Sequence, residues 1–393
     1  MPSRLLTSRF LALCGAASLY FLGLNMTVPV LPLFVEEELG GRNIQVGLAV
    51  SSFGIAAAFI RPFIGPLGDR MGRRTLVICG TLLAAAATAS TALATTIPAV
   101  IAIRAVTGIG EAAVFVGIAS SIQDLSPDDR RAEAASYFSL TIYGTLLVGP
   151  LLGGWIRDEH GTDWVWLVAG MLAAGAAVVG VTAPGPPDYK PPFPPFRRLI
   201  HPAAVRPGFM LFAGLLGYTG FLAFAVVHGE RLGMEDPERI FVVFGAVIIT
   251  LRLFAARLPD RLGPLLTTRI SLTFGVTGLF ILFVWREPAG VYVAAAVLAV
   301  AQTFLFPALF ALVVDRAPDE ERSQAIGSFS MFFDLAFGLG GPIIGAIGDW
   351  TDLSTGFLVC AVIAALALLS ARRLLGDALI ATTLDDIGPR SRR

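Results

Sequence analysis

Arg61-Pro-Phe-Ile-Gly65-Pro-Leu-Gly-Asp69-Arg70-Met-Gly72 comes back 191 residues later as Arg252-Leu-Phe-Ala-Ala-Arg-Leu-Pro-Asp260-Arg261-Leu-Gly263. Each copy sets an arginine eight residues ahead of an Asp-Arg pair and a glycine three residues behind the aspartate. The same offset carries Asp124, followed by Pro127 and two acids, onto Asp315, followed by Pro318 and two acids. Gly149-Pro150-Leu-Leu-Gly153 reappears at 192 as Gly341-Pro342-Ile-Ile-Gly345. The second half of the chain therefore repeats the first in the same order. Parallel copies of this kind are what a pair of bundles facing a common axis leaves in a sequence.

The 393 residues are 55% apolar and only 15% charged, with a mean hydropathy of +0.75. That is too apolar for an ordinary soluble domain. Apolar runs of about 20 residues are each long enough to cross a bilayer as a helix. Twelve are centred near residues 20, 55, 85, 110, 145, 173, 217, 249, 276, 301, 335 and 363. Lipid cannot satisfy open strand edges, and nothing alternates as a barrel would. The expected fold is all-α, a polytopic membrane protein of twelve transmembrane helices in two six-helix bundles.

Charge placement orients it. With the N-terminus in the cytoplasm, five of the 29 Lys and Arg residues (Arg42, Arg157, Arg231, Arg239, Arg286) fall outside and three (Arg61, Arg104, Arg252) within spans, leaving 21 inside. The positive-inside rule demands that bias, so both termini are expected in the cytoplasm. Only one of the 29 is lysine, which fits a GC-rich bacterial genome and hence the bacterial cytoplasmic membrane. Net charge is zero and no basic tract suits nucleic acid. Cys14, Cys79 and Cys360 all lie in apolar runs, where neither zinc nor a disulfide framework is expected. Arg4, Arg9 and the apolar stretch after them lack a small-residue cleavage site and read as the first span, not a secretory signal.

Seven prolines between 184 and 195 exclude a helix there and predict an extended connector. The domains expected are an N-terminal bundle over 1–183, a cytoplasmic connector over 184–206, a C-terminal bundle over 207–371, and a polar, partly disordered tail over 372–393. The outside loops are acidic, as in Glu36-Glu37-Glu38, and read as solvated surface.

The segment Gly65-Pro-Leu-Gly-Asp69-Arg70-Met-Gly72-Arg73-Arg74 resembles the loop between the second and third helices of the major facilitator superfamily. Arg104-Ala-Val-Thr-Gly108-Ile-Gly110 is similar to its fourth-helix motif, and Gly149-Pro150-Leu-Leu-Gly153-Gly154 to the core of the antiporter motif of its efflux branch. The upstream glycine of that longer motif is absent: Gly144 is one residue out of register and Ser136 stands further up. The Arg61-Pro pair and Phe333-Asp334-Leu resemble bacterial drug and sugar-efflux permeases. The resemblance spans the chain and implies a twofold pseudo-symmetric pair of bundles. Spans one, four, seven and ten would line a central cavity; two, five, eight and eleven would form the seam.

An ionisable group at mid-membrane costs about 2.5–3.5 kcal/mol on insertion scales, so each is a functional candidate. Five stand out: Arg61, Arg104, Glu111, Arg252 and Asp334. Glu111 and its repeat partner Gln302 suggest a polar cavity floor, with Glu111 able to take a proton; the competing reading pairs Glu111 with Arg104, two turns earlier. If the second span packs on the eleventh, as the resemblance implies, Asp334 can pair with Arg61 across the seam, as a switch or a static clip. Arg252 meets no acid at the mapped position, Ile142. Asn25, Phe115, Tyr143, Tyr218 and Phe306 are further cavity candidates. The resemblance also implies that Asp69 faces the N-terminus of the eleventh helix and that Arg70, Arg73 or Arg74 reaches Asp124, latching the cytoplasmic side when the outside is open. Gly65 and Gly72 would permit the tight turn, Asp260 would keep a weaker second latch, and the pairs Gly149-Pro150 and Gly341-Pro342 would bend or pack the seam helices.

The function expected is proton-coupled export of a small amphipathic metabolite or drug by alternating access. The proton gradient is the energy source, and no cofactor or metal is expected. Partners would be membrane lipid, protons and the small molecule, with the chain a monomer. A proton-symporting nutrient importer would use the same fold. A membrane-embedded enzyme or receptor is remote, because the three histidines (His160, His201, His228) form no nucleophile–His–acid pattern.

Overall fold

The computed structural model describes residues 5–127, 130–185, 200–255, 258–317 and 322–386. The N-terminal half holds α1 (Ser8–Leu33), α2 (Asn43–Met71), α3 (Arg73–Ser90), α4 (Ile97–Asp124), α5 (Arg131–His160) and α6 (Thr162–Gly180). The C-terminal half holds α7 (Pro202–Arg231), α8 (Arg239–Phe254), the short α9 (Leu258–Leu262), α10 (Pro264–Val284), α11 (Pro288–Arg316), α12 (Arg322–Trp350) and α13 (Leu353–Asp386). The fold is all-helical. Eleven of these helices are long and apolar enough to cross a membrane; α8, at 16 residues, is the shortest of the twelve long ones. Spans one to eight are thus α1–α8, and spans nine to twelve are α10–α13.

Local chemistry sets the helix ends. The Thr7 hydroxyl accepts from the Phe10 amide and caps α1. Gly72, at φ +91°, turns α2 straight into α3, and its repeat partner Gly263, at φ +75°, turns α9 into α10. Any L side chain would be strained at either glycine, so both repeat copies close on a turn only glycine makes freely. Gly68 of the first copy is replaced by Pro259, which sits in the first turn of α9, where a missing N–H is tolerated.

Two expected boundaries move. Residues 202–206, read as connector, are helical, because Pro202 opens α7 and the His201 Nδ1 accepts from the Ala203 amide at 3.2 Å. Helix α13 continues to Asp386, well into the stretch read as a partly disordered tail. Residues 186–199 of the proline-rich connector and 387–393 of the tail lie outside the described residues.

Four helices are the most enclosed of the eleven: α1, α4, α7 and α11. They are the first, fourth, seventh and tenth spans, the set expected to surround the axis. The halves meet along α2–α12, α5–α8 and α1–α7, with α2–α12 the most extensive packing of any helix pair.

Glycines permit that contact. A Cβ on Gly47 would stand 2.4 Å from the Gly341 carbonyl oxygen, and one on Gly345 would stand 2.3 Å from that of Asn43. Gly149 and Gly153 instead pack within their own bundle, against Asn25 and Met26 of α1. Gly340 makes the equivalent contact in the other half, with its missing Cβ 2.4 Å from the Leu216 carbonyl oxygen of α7. By contact, then, Gly149 matches Gly340 at an offset of 191, and the 192 spacing of the Gly-Pro pairs is a shift in sequence alone.

Candidate functional site

The polar centre is built on Arg61. From the middle of α2 its Nε stands 2.6 Å from Asp334 Oδ2 on α12, across the seam, while its Nη2 stands 3.2 Å from Glu111 Oε2 on α4. The three side chains are only 12%, 5% and 9% exposed. One guanidinium thus serves two carboxylates, one from each bundle. The fixed fork of an arginine suits that division, with its face free for a ring. Phe115 takes that place, 5.1 Å from the Arg61 carbon.

Beside Asp334 runs a chain of rings. Phe306 lies 5.8 Å from Phe333, Phe333 lies 4.8 Å from Phe337, and Tyr218 lies 6.2 Å from Phe337 while stacking on Phe244 at 5.4 Å. The expected cavity residues Tyr218 and Phe306 therefore belong to one aromatic wall. Asn25 spends its amide elsewhere, donating to Thr145 Oγ1 at 3.1 Å and tying α1 to α5.

At the end of the molecule that carries Glu36–Glu38 the bundles are joined by charge. Arg231 reaches Glu36 at 2.6 Å and Asn43 Oδ1 at 2.8 Å; Arg157 reaches Glu37 at 2.7 Å and Glu230 at 3.8 Å. The Asp349 carboxylate, at the far end of α12, accepts from the Asn43 and Ile44 amides of α2 at 2.9 and 3.1 Å. A carboxylate on the first turn of a helix is favoured by the unpaired amides and by the dipole. The acidic loops, expected to be plain solvated surface, close this end. Towards the connector end, a Cβ on Gly65 of α2 or Gly327 of α12 would meet nothing within 4 Å.

The profile of the Major Facilitator Superfamily matches residues 13–298 and 240–379. The chain belongs to the major facilitator superfamily. The transporter is 28% identical over 360 residues to the "Uncharacterized MFS-type transporter STM4428" of Salmonella typhimurium, covering 90% of this chain and 92% of that protein. Its fold matches the crystal structure of the nucleoside transporter NupG with a TM-score of 0.74, at 16% identity over 93% of this chain and 100% of that one. It also matches a bacterial homologue of the human lysosomal transporter Spinster, with a TM-score of 0.75 and 16% identity over 94% of this chain and 97% of that one. The chain is thus a multi-pass membrane transporter and not an enzyme.

Several expected contacts take a different form in the transporter. Arg104 does not pair with Glu111: its guanidinium lies over the Phe53 ring at 4.9 Å. Arg252 meets Tyr143, not Ile142, with its guanidinium carbon 4.4 Å from the ring centre. Tyr143 is the residue 191 before Asp334, so the two seams place equivalent side chains against equivalent arginines. Gln302 is buried in α11, and no hydrogen bond joins it to Glu111 among the described residues.

In the loop after α2, Arg73 Nε lies 3.5 Å from Asp124 Oδ2, and Arg74 donates from its Nε to the Ala183 carbonyl at 3.0 Å. Both contacts stay within the N-terminal bundle, and Arg70 is exposed. The side chains of Asp69 and Asp260 lie outside the described residues. Pro150 and Pro342 sit inside α5 and α12. Sequence reading missed Phe53 and Asp349. The first looks like an ordinary packing aromatic, and Asp349 sits at a span end where acids are usually solvated.

Proposed function

We propose that this transporter exports a small amphipathic compound in exchange for protons, from the cytoplasm across the bacterial cytoplasmic membrane, as multidrug-resistance antiporters do. The observation that carries the reading is Arg61 shared between Glu111 of one bundle and Asp334 of the other. Charge on Asp334 ties α12 to α2. A proton arriving there removes the attraction, frees Arg61 to Glu111 alone, and changes the relative free energy of the two bundle orientations. A site that gains and loses one charge between states is what coupling to a proton gradient requires.

The asymmetry of basic residues supports cytoplasmic termini. On that orientation the acidic-end ion pairs tie the bundles together on the outer side, and cargo would load from the cytoplasm. The antiporter-like Gly149-Pro150 segment supports export over import, and the direction of flux decides between them.

Everted membrane vesicles with an imposed proton gradient, loaded with a pH dye, provide the test. Addition of a cargo should release protons from the lumen, and Glu111→Gln or Asp334→Asn should abolish the release. Cargo movement indifferent to the gradient would sink the coupling, and cargo accumulation by intact cells would reverse the direction.

A further inference from the structure

Helix α2 begins without a cap of its own. The first four amides of a helix have no carbonyl partner within it, and a Ser, Thr, Asp or Asn just before the first turn normally serves them. In α2 that position is Arg42, whose side chain has donors and no acceptor. The Arg42 amide donates to Gln45 Oε1 at 2.9 Å, and the Gln45 amide turns back to the Arg42 carbonyl at 2.9 Å. The Asn43 and Ile44 amides remain. The Asn43 side-chain oxygen is already taken by Arg231 Nη2 at 2.8 Å. Both amides go instead to the other bundle, donating to Asp349 Oδ1 and Oδ2 at 2.9 and 3.1 Å.

Asp349 lies half-buried in the last turn of α12. Close packing holds it there. A Cβ on Gly345, one turn earlier, would stand 2.3 Å from the Asn43 carbonyl oxygen, and one on Gly348 would stand 3.4 Å from Asn43 Nδ2. A carboxylate on two adjacent first-turn amides makes charge-assisted hydrogen bonds and meets the positive end of the helix dipole. The other seam lacks this contact. Asp158 stands 191 residues before Asp349, also in the last turn of its helix, yet among the described residues it holds no amide of α8.

We propose that Asp349 is a latch at the acidic end of the transporter: α12 lends α2 its cap while that end is closed, and the bundles part there only by leaving the Asn43 and Ile44 amides to water. The latch couples two events, separation of α2 from α12 and fraying of the first turn of α2. Neither depends on the direction of cargo movement or on proton coupling.

The test reads the two events separately in the purified full-length transporter. Separation is read by maleimide labelling of Ser51→Cys, with alanine in place of Cys14, Cys79 and Cys360. Ser51 is fully buried in the seam, and a Cβ on Gly341 of α12 would stand 2.8 Å from its Oγ. Fraying is read by amide hydrogen exchange in a peptide covering Arg42–Val46. Asp349→Ala should raise both labelling and exchange by about ten-fold. Asp349→Asn, which keeps one acceptor oxygen, should raise each by about three-fold. Arg42→Ser, added to Asp349→Ala, completes a Ser-x-x-Gln capping box with Gln45 and gives α2 a cap of its own. Exchange should then slow again while labelling stays raised. A static cap that never lets go would move exchange alone. The proposal falls if Asp349→Ala labels no faster than wild type, if its exchange at Arg42–Val46 is unchanged, or if Arg42→Ser returns labelling to the wild-type level. Thermal unfolding checks that each variant folds, and Asp349→Asn carries the same outcomes should Asp349→Ala fail to fold.

Discussion

Asp334 holds Arg61 at 2.6 Å across the α2–α12 seam, whereas its repeat partner Tyr143 offers Arg252 only a ring face at 4.4 Å. The two seams share one backbone plan and differ in what meets the arginine: two carboxylates at Arg61, a ring face at Arg252. A carboxylate can lose its charge to a proton; a phenyl face cannot. On the proposed coupling, that difference puts the response to protons at the α2–α12 seam.

Asp334→Asn should leave a folded protein that no longer releases protons with cargo. The amide keeps the volume and an acceptor for Arg61, and Glu111 remains to balance the guanidinium. Proton release in everted vesicles should fall at least ten-fold, while cargo binding in detergent stays within about three-fold. Proton release unchanged from wild type would remove Asp334 from the coupling.

Two glycine substitutions of the same size should have different consequences. A Cβ on Gly153 would stand 2.1 Å from the Met26 carbonyl oxygen inside one bundle, so Gly153→Ala should lower thermal stability by about 1–3 kcal/mol. A Cβ on Gly345 would meet the Asn43 carbonyl oxygen at 2.3 Å between bundles. The protein can escape that clash by parting the acidic end, so Gly345→Ala should shift the conformational balance rather than unfold the chain. Labelling of a cysteine placed in the acidic-end vestibule should rise in Gly345→Ala and not in Gly153→Ala.

Most of this architecture is legible in the sequence because the repeat and the apolar runs are set by the bilayer, which leaves few solutions. Arg61 and Asp334 announce themselves as charges where charge is costly. Tyr143 does not, because the 192 spacing of the Gly-Pro pairs points one residue away, to Ile142. Asp349 and the helical Glu36–Glu38 segment carry acids at a span end, and composition alone cannot tell a solvated carboxylate from one that caps a helix of the other bundle.

The ion pairs at the acidic end should be weak individually. Arg231 is 42% exposed, so its bond to Glu36 is worth about 0.2–1 kcal/mol after solvent screening. Arg231→Ala should therefore raise cysteine labelling in the acidic-end vestibule by only about two- to five-fold. High salt should do the same to the wild type, because exposed charges are screened within a few ångströms at about 1 M. A change of a hundred-fold would mean that Arg231 does more than pair with Glu36 and Asn43.

Acid should favour closure of the same end through Glu238. Its side chain packs against Gly154 of the other bundle, where a Cβ would stand 3.1 Å from the carboxyl carbon. Burial pushes the Glu238 carboxyl above the ordinary glutamate range; nearby Asp236 and Asp158 add to the rise, while its own backbone amide and Arg239 oppose it. When the ends part, Glu238 returns to water and its affinity for a proton falls. The closed form therefore binds the proton more tightly. Its extra stability is complete below the ordinary glutamate value of 4.5 and is lost as pH rises through the raised value. Vestibule labelling, measured with a pH-insensitive reagent, should increase as pH is raised across that window. Glu230 at the same end, pushed up to about 7 by burial and by Glu37, responds in the same direction, so Glu238→Gln should lower labelling towards the low-pH level and leave only the Glu230 part of the profile; a profile as steep as that of the wild type would assign the titration to Glu230 alone.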